Sequence, residues 1–500
     1  MPSSPTDRTQ MADVVERLLA LAEAQPDHLA VVEAERSLTY RQFVQRAARM
    51  AAAVARAGEH PRVLVHLPQG ADAYAAMFGT AMGGGYYVPM NIEAPLVKQR
   101  SIRQQFAPDI VIGTAQSAAM LETDVPVIDV AALPEETLEA PRPAHDLIYV
   151  IFTSGSTGQP KGVALSRAGL DHYVAWALEA MQVSPSDRWS QQPNIAFDLS
   201  VLDIYGALCG GATLYPLTGA ADKLMPAQAI VRHKLTIWNS VPSVVDLMRR
   251  ARQVTPSHLA SLRLMTFCGE ALLPQHLEAI FAARPELLVH NTYGPTEATV
   301  SMTLIRLTEA DYRAATRATV AIGDAIPGMG LHLVEGDTPD EGEIVITGPQ
   351  LARGYWGNPT ATEQAFCQID LDGRRQLAYR TGDWGERRDG QVYFKSRRDF
   401  QVKINGYRID LDEVNGALRQ CGFAAAQSAL VDGVLTAFLE IPDDVVPAED
   451  ALRKRLETLV EPYAVPVRYV AVPAFPRNAN DKVDLNALIA GHRSTGPTPP

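Results

Sequence analysis

Short apolar runs alternate with amphipathic stretches through most of the first 400 residues of this 500-residue chain, and that alternation constrains the fold more than any other feature. The runs "RVLVHL" (62–67), "DIVIG" (109–113), "LIYVIF" (147–152), "LRLMTF" (262–267) and "ELLVH" (286–290) read as buried strands. Between them lie segments such as "GLDHYVAWALEAM", in which Leu170, Tyr173, Val174, Ala177, Leu178 and Met181 share one helical face, with Ser166 upstream as a cap. Alternation of this kind predicts a layered α/β architecture with largely parallel sheets. Around 335–400 the texture changes to Asp-Gly turns and short strands ("EGEIVITGPQL", "RRQLAYRTGDWGERRDGQVYFKSRRDF"), which predict antiparallel hairpins in a small β-subdomain. Beyond Asp399, two amphipathic helices ("LDEVNGALRQC" and "AEDALRKRLETLV") and further strand candidates predict a small α+β C-terminal domain. The expected organisation is a large N-terminal domain over 1–398, a C-terminal domain over 399–490 and a disordered tail over 491–500.

Composition narrows the function classes. A net charge of −12 speaks against general nucleic-acid binding, which needs a basic surface. Four cysteines (Cys209, Cys268, Cys367, Cys421) without CxxC spacing fit a reducing cytoplasm better than a disulfide framework or a zinc site. The eleven histidines show no paired metal spacing. Asp13 and Glu16 interrupt the opening stretch where a secretory leader would be apolar, and no apolar run has the length of a spanning helix, so neither export nor membrane insertion is expected.

The stretch "TSGSTGQPKGV" (153–163) follows one of the predicted strands directly. Four hydroxyls and two glycines precede Lys161, a composition suited to a phosphate: backbone and hydroxyl donors approach the anion, and the lysine adds charge. The P-loop is excluded, because Gly162 follows the lysine and Pro160 precedes it. "NTYGPTEATV" (291–300) supplies an aromatic face in Tyr293, hydroxyls in Thr292 and Thr296, and Glu297, a carboxylate able to hold Mg²⁺ beside phosphate. "YRTGDW" (379–384) puts Asp383 in a tight loop, where a carboxylate accepts both hydroxyls of a ribose, and "NANDKVDLNAL" (478–488) presents Lys482 among turn formers. Taken singly, each stretch has a plain structural alternative: a Ser/Gly loop, a turn with a buried Tyr, a turn cap, a solvated lysine.

Together, and in order, these stretches resemble the adenylate-forming superfamily of acyl-CoA synthetases, luciferases and nonribosomal-peptide adenylation domains. "LTYRQF" (38–43), "MGGGYYVPMN" (82–91), "NIAFDLSVLDIYGAL" (194–208), "GEIVITGPQLARGYW" (342–356) and "SRRDFQVKINGYRIDLDEV" (396–414) extend the resemblance over nearly the whole chain. It implies that ATP and Mg²⁺ are used to join a carboxylate to the α-phosphate before the acyl group passes to a thiol. It further implies that Thr153, Ser154, Gly155, Ser156, Thr157, Gly158 and Lys161 hold the β,γ-phosphates. Asn291, Thr292, Tyr293, Gly294 and Thr296 would embrace adenine and α-phosphate, Glu297 would hold Mg²⁺, and Asp383 and Arg397 would grip the ribose. Lys482 matches the catalytic lysine, Asp399 the hinge of a mobile C-terminal domain, and Lys403 and Gly406 would face the thiol-bearing arm in the second half-reaction. Two positions depart from the pattern: Ser396 and Asp481 stand where glycines are usual, which puts the local φ angles in question.

Asp198, in "FDLS", matches the carboxylate that pairs with the α-ammonium in amino-acid-activating members; the alternative reading is a helix cap. Leu199, Leu202, Asn239, Thr266, Cys268, Thr292, Val300 and Ser301 map to the pocket wall, and the two leucines favour a small amino acid such as alanine. "FDLSVLDIYGAL", "FCGEALLP" and "NTYGPTEATV" are most similar to the D-alanine–carrier-protein ligase branch and its stand-alone relatives in natural-product pathways, Cys268 included. No carrier-protein LGGxS or condensation HHxxxDG pattern is present, so the expected partner is a separate phosphopantetheinyl carrier. Cell-wall alanylation, ligation of a small acid to CoA and a non-catalytic scaffold are the competing readings.

Overall fold

The computed structural model of the chain describes residues 13–153, 160–371, 373–397, 401–423, 425–441, 449–476, 483 and 485–495. It has the expected mixed α/β architecture and divides into two units. One is drawn from Met1–Ile92, Gln105–Phe152 and Gly162–Arg398, the other from Glu93–Gln104, Thr153–Lys161 and Asp399–Pro500.

In the first unit the apolar runs become the inner strands of two large sheets. A nine-stranded sheet sets Thr213–Pro216, Arg188–Gln191, Ile237–Ser240, Leu264–Phe267 and Leu288–Tyr293 side by side in parallel, and Thr303–Leu307 then runs antiparallel to the last of them. A seven-stranded sheet is built around Leu147–Thr153, Tyr86–Pro89, Arg62–Val65 and Ile110–Gly113. Strands buried on both faces are apolar at every position rather than alternately, as "IVIG" at 110–113 is here. The strand expected from Leu262 begins at Leu264, because the Leu262 N–H is committed to the Leu259 carbonyl oxygen in a turn.

Helices cover these sheets with the faces the periodicity specifies. Arg167–Met181 is helical, and the Ser166 hydroxyl accepts the Gly169 N–H at 3.1 Å, so the predicted cap is present. Leu199–Cys209 is buried along its whole length. Tyr40–Arg56 packs on Ala71–Met82 through alanines and one glycine: a Cβ on Gly79 would lie 2.6 Å from the Ala47 carbonyl oxygen, so only glycine permits this helix approach.

The 335–400 region forms a five-stranded antiparallel sheet from Gly330–Val334, Glu341–Thr347, Phe366–Leu371, Arg374–Arg388 and Gln391–Arg397. Asp383 lies within the Arg374–Arg388 strand rather than in a tight loop. Gly382 takes φ 72° beside it, and pairing slips after Trp384, so a bulged strand does the re-aiming expected of a turn. Ser396 lies inside the Gln391–Arg397 strand, where extended backbone makes no demand for glycine.

The second unit contains the antiparallel ribbon Gln401–Ile404 with Tyr407–Asp410, and a three-stranded sheet of Ala426–Val431, Val434–Glu440 and Arg468–Val472. Helices Leu411–Gln420, Glu449–Leu456 and Leu485–Thr495 accompany them. The last helix runs through 491–495, a stretch expected to be disordered, because Leu485, Leu488 and Ile489 belong to a small core with Phe438 and Phe475. Within this unit the Lys98 ammonium is buried between Glu413, at 3.0 Å, and Glu461, at 2.6 Å.

Candidate active site

Two clusters in the first unit account for most of the residues singled out above. The first lies where the Leu288–Tyr293 strand meets the bulged Arg374–Arg388 strand. The Tyr293 hydroxyl donates to Asp383 Oδ2 at 2.5 Å, and the Arg397 guanidinium pairs with Asp383 Oδ1. Arg397 also donates to the Thr381 carbonyl oxygen at 3.1 Å, while the Thr381 hydroxyl accepts the Asp383 N–H at 2.9 Å. Burial first, and then the neighbouring Asp383 charge, push the Tyr293 phenol well above its usual range, so it stays a neutral donor. A carboxylate has about four lone-pair sites, so Asp383 retains acceptor capacity beyond these two partners. Asn291 and Thr292 are anchored through their side chains, Asn291 Nδ2 to the Ala321 carbonyl oxygen at 2.8 Å and Thr292 Oγ1 to that of Phe267 at 3.1 Å.

The second cluster surrounds the start of the Leu199–Cys209 helix. Asp198 occupies the cap position, yet its side chain makes no capping bond. Its Oδ2 instead accepts the Thr296 hydroxyl at 2.6 Å, so the cap alternative is set aside by geometry. Leu199, Leu202, Asn239, Thr266, Cys268, Val300 and Ser301 are all buried. Parallel register pairs Asn239 with Thr266 and Thr266 with His290, so the three occupy matching positions on adjacent strands. Cys268 Sγ lies 3.9 Å from the Val300 carbonyl oxygen, and Ser301 Oγ shares a 3.2 Å hydrogen bond with the Tyr173 hydroxyl.

The turn from Thr296 to Ser301 links the two clusters. Glu297 is 1% exposed, and its Oε1 accepts the Tyr355 hydroxyl at 2.8 Å. Gly294 is required beneath the turn: a Cβ there would lie 2.5 Å from the Ser301 Cα. Among the described residues no group of three His, Cys, Asp or Glu side chains is arranged to hold a metal. A lone buried carboxylate still fits Mg²⁺, which takes one or two carboxylates and completes its shell with substrate phosphates and water.

Other expected residues lie elsewhere. Thr153 and Lys161 belong to the second unit, where Thr153 Oγ1 donates to the Lys161 carbonyl oxygen at 3.4 Å. Lys403 lies on the two-stranded ribbon, opposite Arg408, with Gly406 at φ 81° in its turn. Residues 154–158, Asp399 and Lys482 fall outside the described residues.

Three side chains at the site went unrecognised in the sequence. Asp203 is fully buried, and its Oδ1 accepts from Trp189 Nε1 at 3.0 Å and Asn239 Nδ2 at 2.8 Å. Burial raises its pKa well above the usual carboxylate value, against the pull of those donors. The signal was available: an acid in the otherwise apolar run "LSVLDIYGALC" must be solvated or satisfied inside. Tyr355 and Gln350, both from "GPQLARGYW", gave no such signal, because their partners lie about 50 residues away in the chain.

Polar groups gathered at the carboxyl ends of parallel strands are the usual setting of a ligand site in an α/β enzyme. A family model described as AMP-binding enzyme matches residues 19–356, and the chain belongs to that family of adenylate-forming ligases. It is 29% identical over 510 residues to the D-alanine–D-alanyl carrier protein ligase of Listeria welshimeri, covering 95% of this chain and 98% of that protein. Identity to the ligase of the same name from Staphylococcus aureus is 30% over 498 residues, covering 96% and 99% respectively. Among solved structures, the Vibrio cholerae adenylation domain AlmE in complex with glycyl-adenosine-5'-phosphate matches with a TM-score of 0.84 at 27% identity, covering 99% of this chain and 100% of that one.

Proposed function

We propose that this ligase activates a small α-amino acid, alanine being the side-chain size its walls favour, and passes it to the phosphopantetheine thiol of a separate carrier protein. The observation that carries this reading is the Asp198 carboxylate at the start of the Leu199–Cys209 helix, which accepts the Thr296 hydroxyl at 2.6 Å instead of capping that helix. A carboxylate placed there is the charge complement of a substrate's α-ammonium.

In the first half-reaction a carboxylate oxygen of the amino acid attacks the α-phosphorus of ATP, and pyrophosphate leaves. Two anions must meet, so the chain's task is to place donors where charge develops. Thr153, Ser154–Gly158 and Lys161 hold the departing phosphates. Asn291–Thr296 receive adenine and α-phosphate, Asp383 and Arg397 the ribose. Lys482 bridges the reacting carboxylate and phosphate. Glu297 would hold Mg²⁺, which would neutralise phosphate charge when bound. In the second half-reaction the carrier thiolate attacks the acyl carbonyl and AMP leaves, with Asp399 as hinge and Lys403 and Gly406 along the thiol's path. No helix among the described residues is long and apolar enough to cross a membrane.

As to pathway, loading of a natural-product carrier and D-alanylation of cell-wall polymers require the same residues. The names of the curated relatives favour the D-alanine carrier-protein reading over the biosynthetic one.

The test is amino-acid-dependent pyrophosphate exchange across glycine, D- and L-alanine, serine and β-amino acids, followed by transfer to CoA or to a loaded carrier. Exchange with a small α-amino acid and transfer to the carrier are expected. Exchange with none of them, or transfer to CoA alone, overturns the reading.

A further inference from the structure

Val300 is a wall residue with an uncomfortable backbone. It takes φ 70° and Thr299 before it φ 56°, both in the left-handed region that β-branched residues avoid. The Ser301 N–H donates to the Thr299 carbonyl oxygen at 2.9 Å, so Val300 centres a three-residue γ-turn of the rare positive-φ hand. A turn of this kind persists only where its surroundings hold it.

The hold comes from Gln350, fully buried and about fifty residues further along the chain. With its amide oriented so that nitrogen meets oxygen, Nε2 donates to the Ala298 and Ser301 carbonyl oxygens, both at 3.1 Å, and Oε1 accepts the His172 Nδ1–H at 2.9 Å. Its main-chain oxygen accepts the Thr299 hydroxyl at 2.7 Å. One residue thus grips the turn before, within and after its strained pair. On its other side the turn lies against Gly294, where a Cβ would sit 2.5 Å from the Ser301 Cα. Beyond the turn, the Val300 carbonyl oxygen faces Cys268 and Ser301 meets Tyr173, so any relaxation of the backbone moves the wall.

We propose that Gln350, oriented by His172, is a positioning residue that holds the Thr299–Val300 turn and thereby sets how large a substrate side chain the ligase admits. This rests on the amino-acid-activating reading. Without the brace Val300 reverts to negative φ, the wall withdraws, and discrimination against larger side chains weakens.

A double-mutant cycle on the full chain tests this. Gln350→Met is nearly isosteric and lacks the amide; in pyrophosphate exchange it should raise KM for the preferred small amino acid about tenfold, narrow its advantage over leucine, and leave KM for ATP within about twofold. Val300→Gly makes positive φ free of strain. In that background Gln350→Met should change the amino-acid KM by less than about twofold. Equal factors in the two backgrounds overturn the inference, since a merely structural glutamine costs the same in both. Should Gln350→Met fail to fold, His172→Phe, which removes the donor that orients the amide, enters the same cycle under the same criterion, with about a threefold effect expected. Wild-type protein that exchanges with no amino acid sinks the activation reading and this inference with it. Robust wild-type exchange with equal factors sinks the inference alone.

Discussion

The Asp383 cluster and the Asp198 cluster are organised by different means. Around Asp383 charge does the work: both carboxylate oxygens are engaged, one by Tyr293 and one by Arg397, before any ligand arrives. Around Asp198 the buried side chains mix apolar Leu199, Leu202 and Val300 with polar Asn239, Thr266 and Ser301; Val300 sits in a strained turn, and Asn239 Oδ1 and Thr266 Oγ1 have no hydrogen-bond partner among the described residues. An ionic lattice suits a part of the reaction that is the same in every turnover, because rigid, satisfied donors cost no reorganisation when charge develops. Walls on a braced turn suit the part that selects, because a shift of one turn changes the volume without disturbing the charges.

The contrast predicts separable phenotypes. The largest effect is expected for Asp383→Ala, which removes the carboxylate partner of the partly buried Arg397 guanidinium and the acceptor of the Tyr293 hydroxyl. A stability loss of about 3–5 kcal/mol in denaturant unfolding should accompany a fall of about 10²–10³-fold in kcat/KM for ATP. A variant with normal stability would show that the pair is not the organising element. Next comes Asp198→Asn, expected to lower kcat/KM for the amino acid about 100-fold with KM for ATP unchanged. An equal rise in KM for ATP would erase the distinction between the clusters.

Two smaller, pH-dependent effects probe the scaffold on each side. His290, next to Asn291 in the same strand, is held down to about 3 by burial, with Arg306 and Arg263 adding to it. Its folded pKa lies below the unfolded value near 6.5, so the unfolded chain binds the proton first. Its stabilisation is complete above about pH 6.5 and is lost as pH falls toward 3, by at most about 1.4 kcal/mol per unit. His290→Gln should flatten that acid limb in unfolding curves; an unchanged slope would count against it. On the helix that carries His172 and Tyr173, Asp171 is raised to about 7 by burial and by Asp13. Its folded pKa is above the unfolded one, so stability falls as pH rises from about 4 to 7 and stays low beyond. Asp171→Asn should raise the melting temperature at pH 8 by a few degrees and do nothing at pH 4, since water reaches this site and moderates the effect. A rise of equal size at pH 4 would rule out the titration.

Much of the molecule was legible in its sequence because the signals are local. Strands, the helix after Ser166 and the antiparallel subdomain follow from hydrophobic period and turn chemistry, which act within a few residues. The phosphate loop, Glu297 and Asp383 each had a plain structural alternative when taken singly, and they and Asp198 stood out because their motifs, in order, resemble those of the adenylate-forming superfamily. What the sequence could not carry is any relation between distant segments. That Asp198 bonds to Thr296 rather than capping its helix, that the buried Asp203 holds Asn239, and that Asp383 sits on a bulged strand were decided only when the chain closed on itself. The Gln350 brace is the plainest case. A glutamine in a loop announces nothing until folding buries it against the carbonyls of a distant turn, and burial then makes each of its hydrogen bonds obligatory.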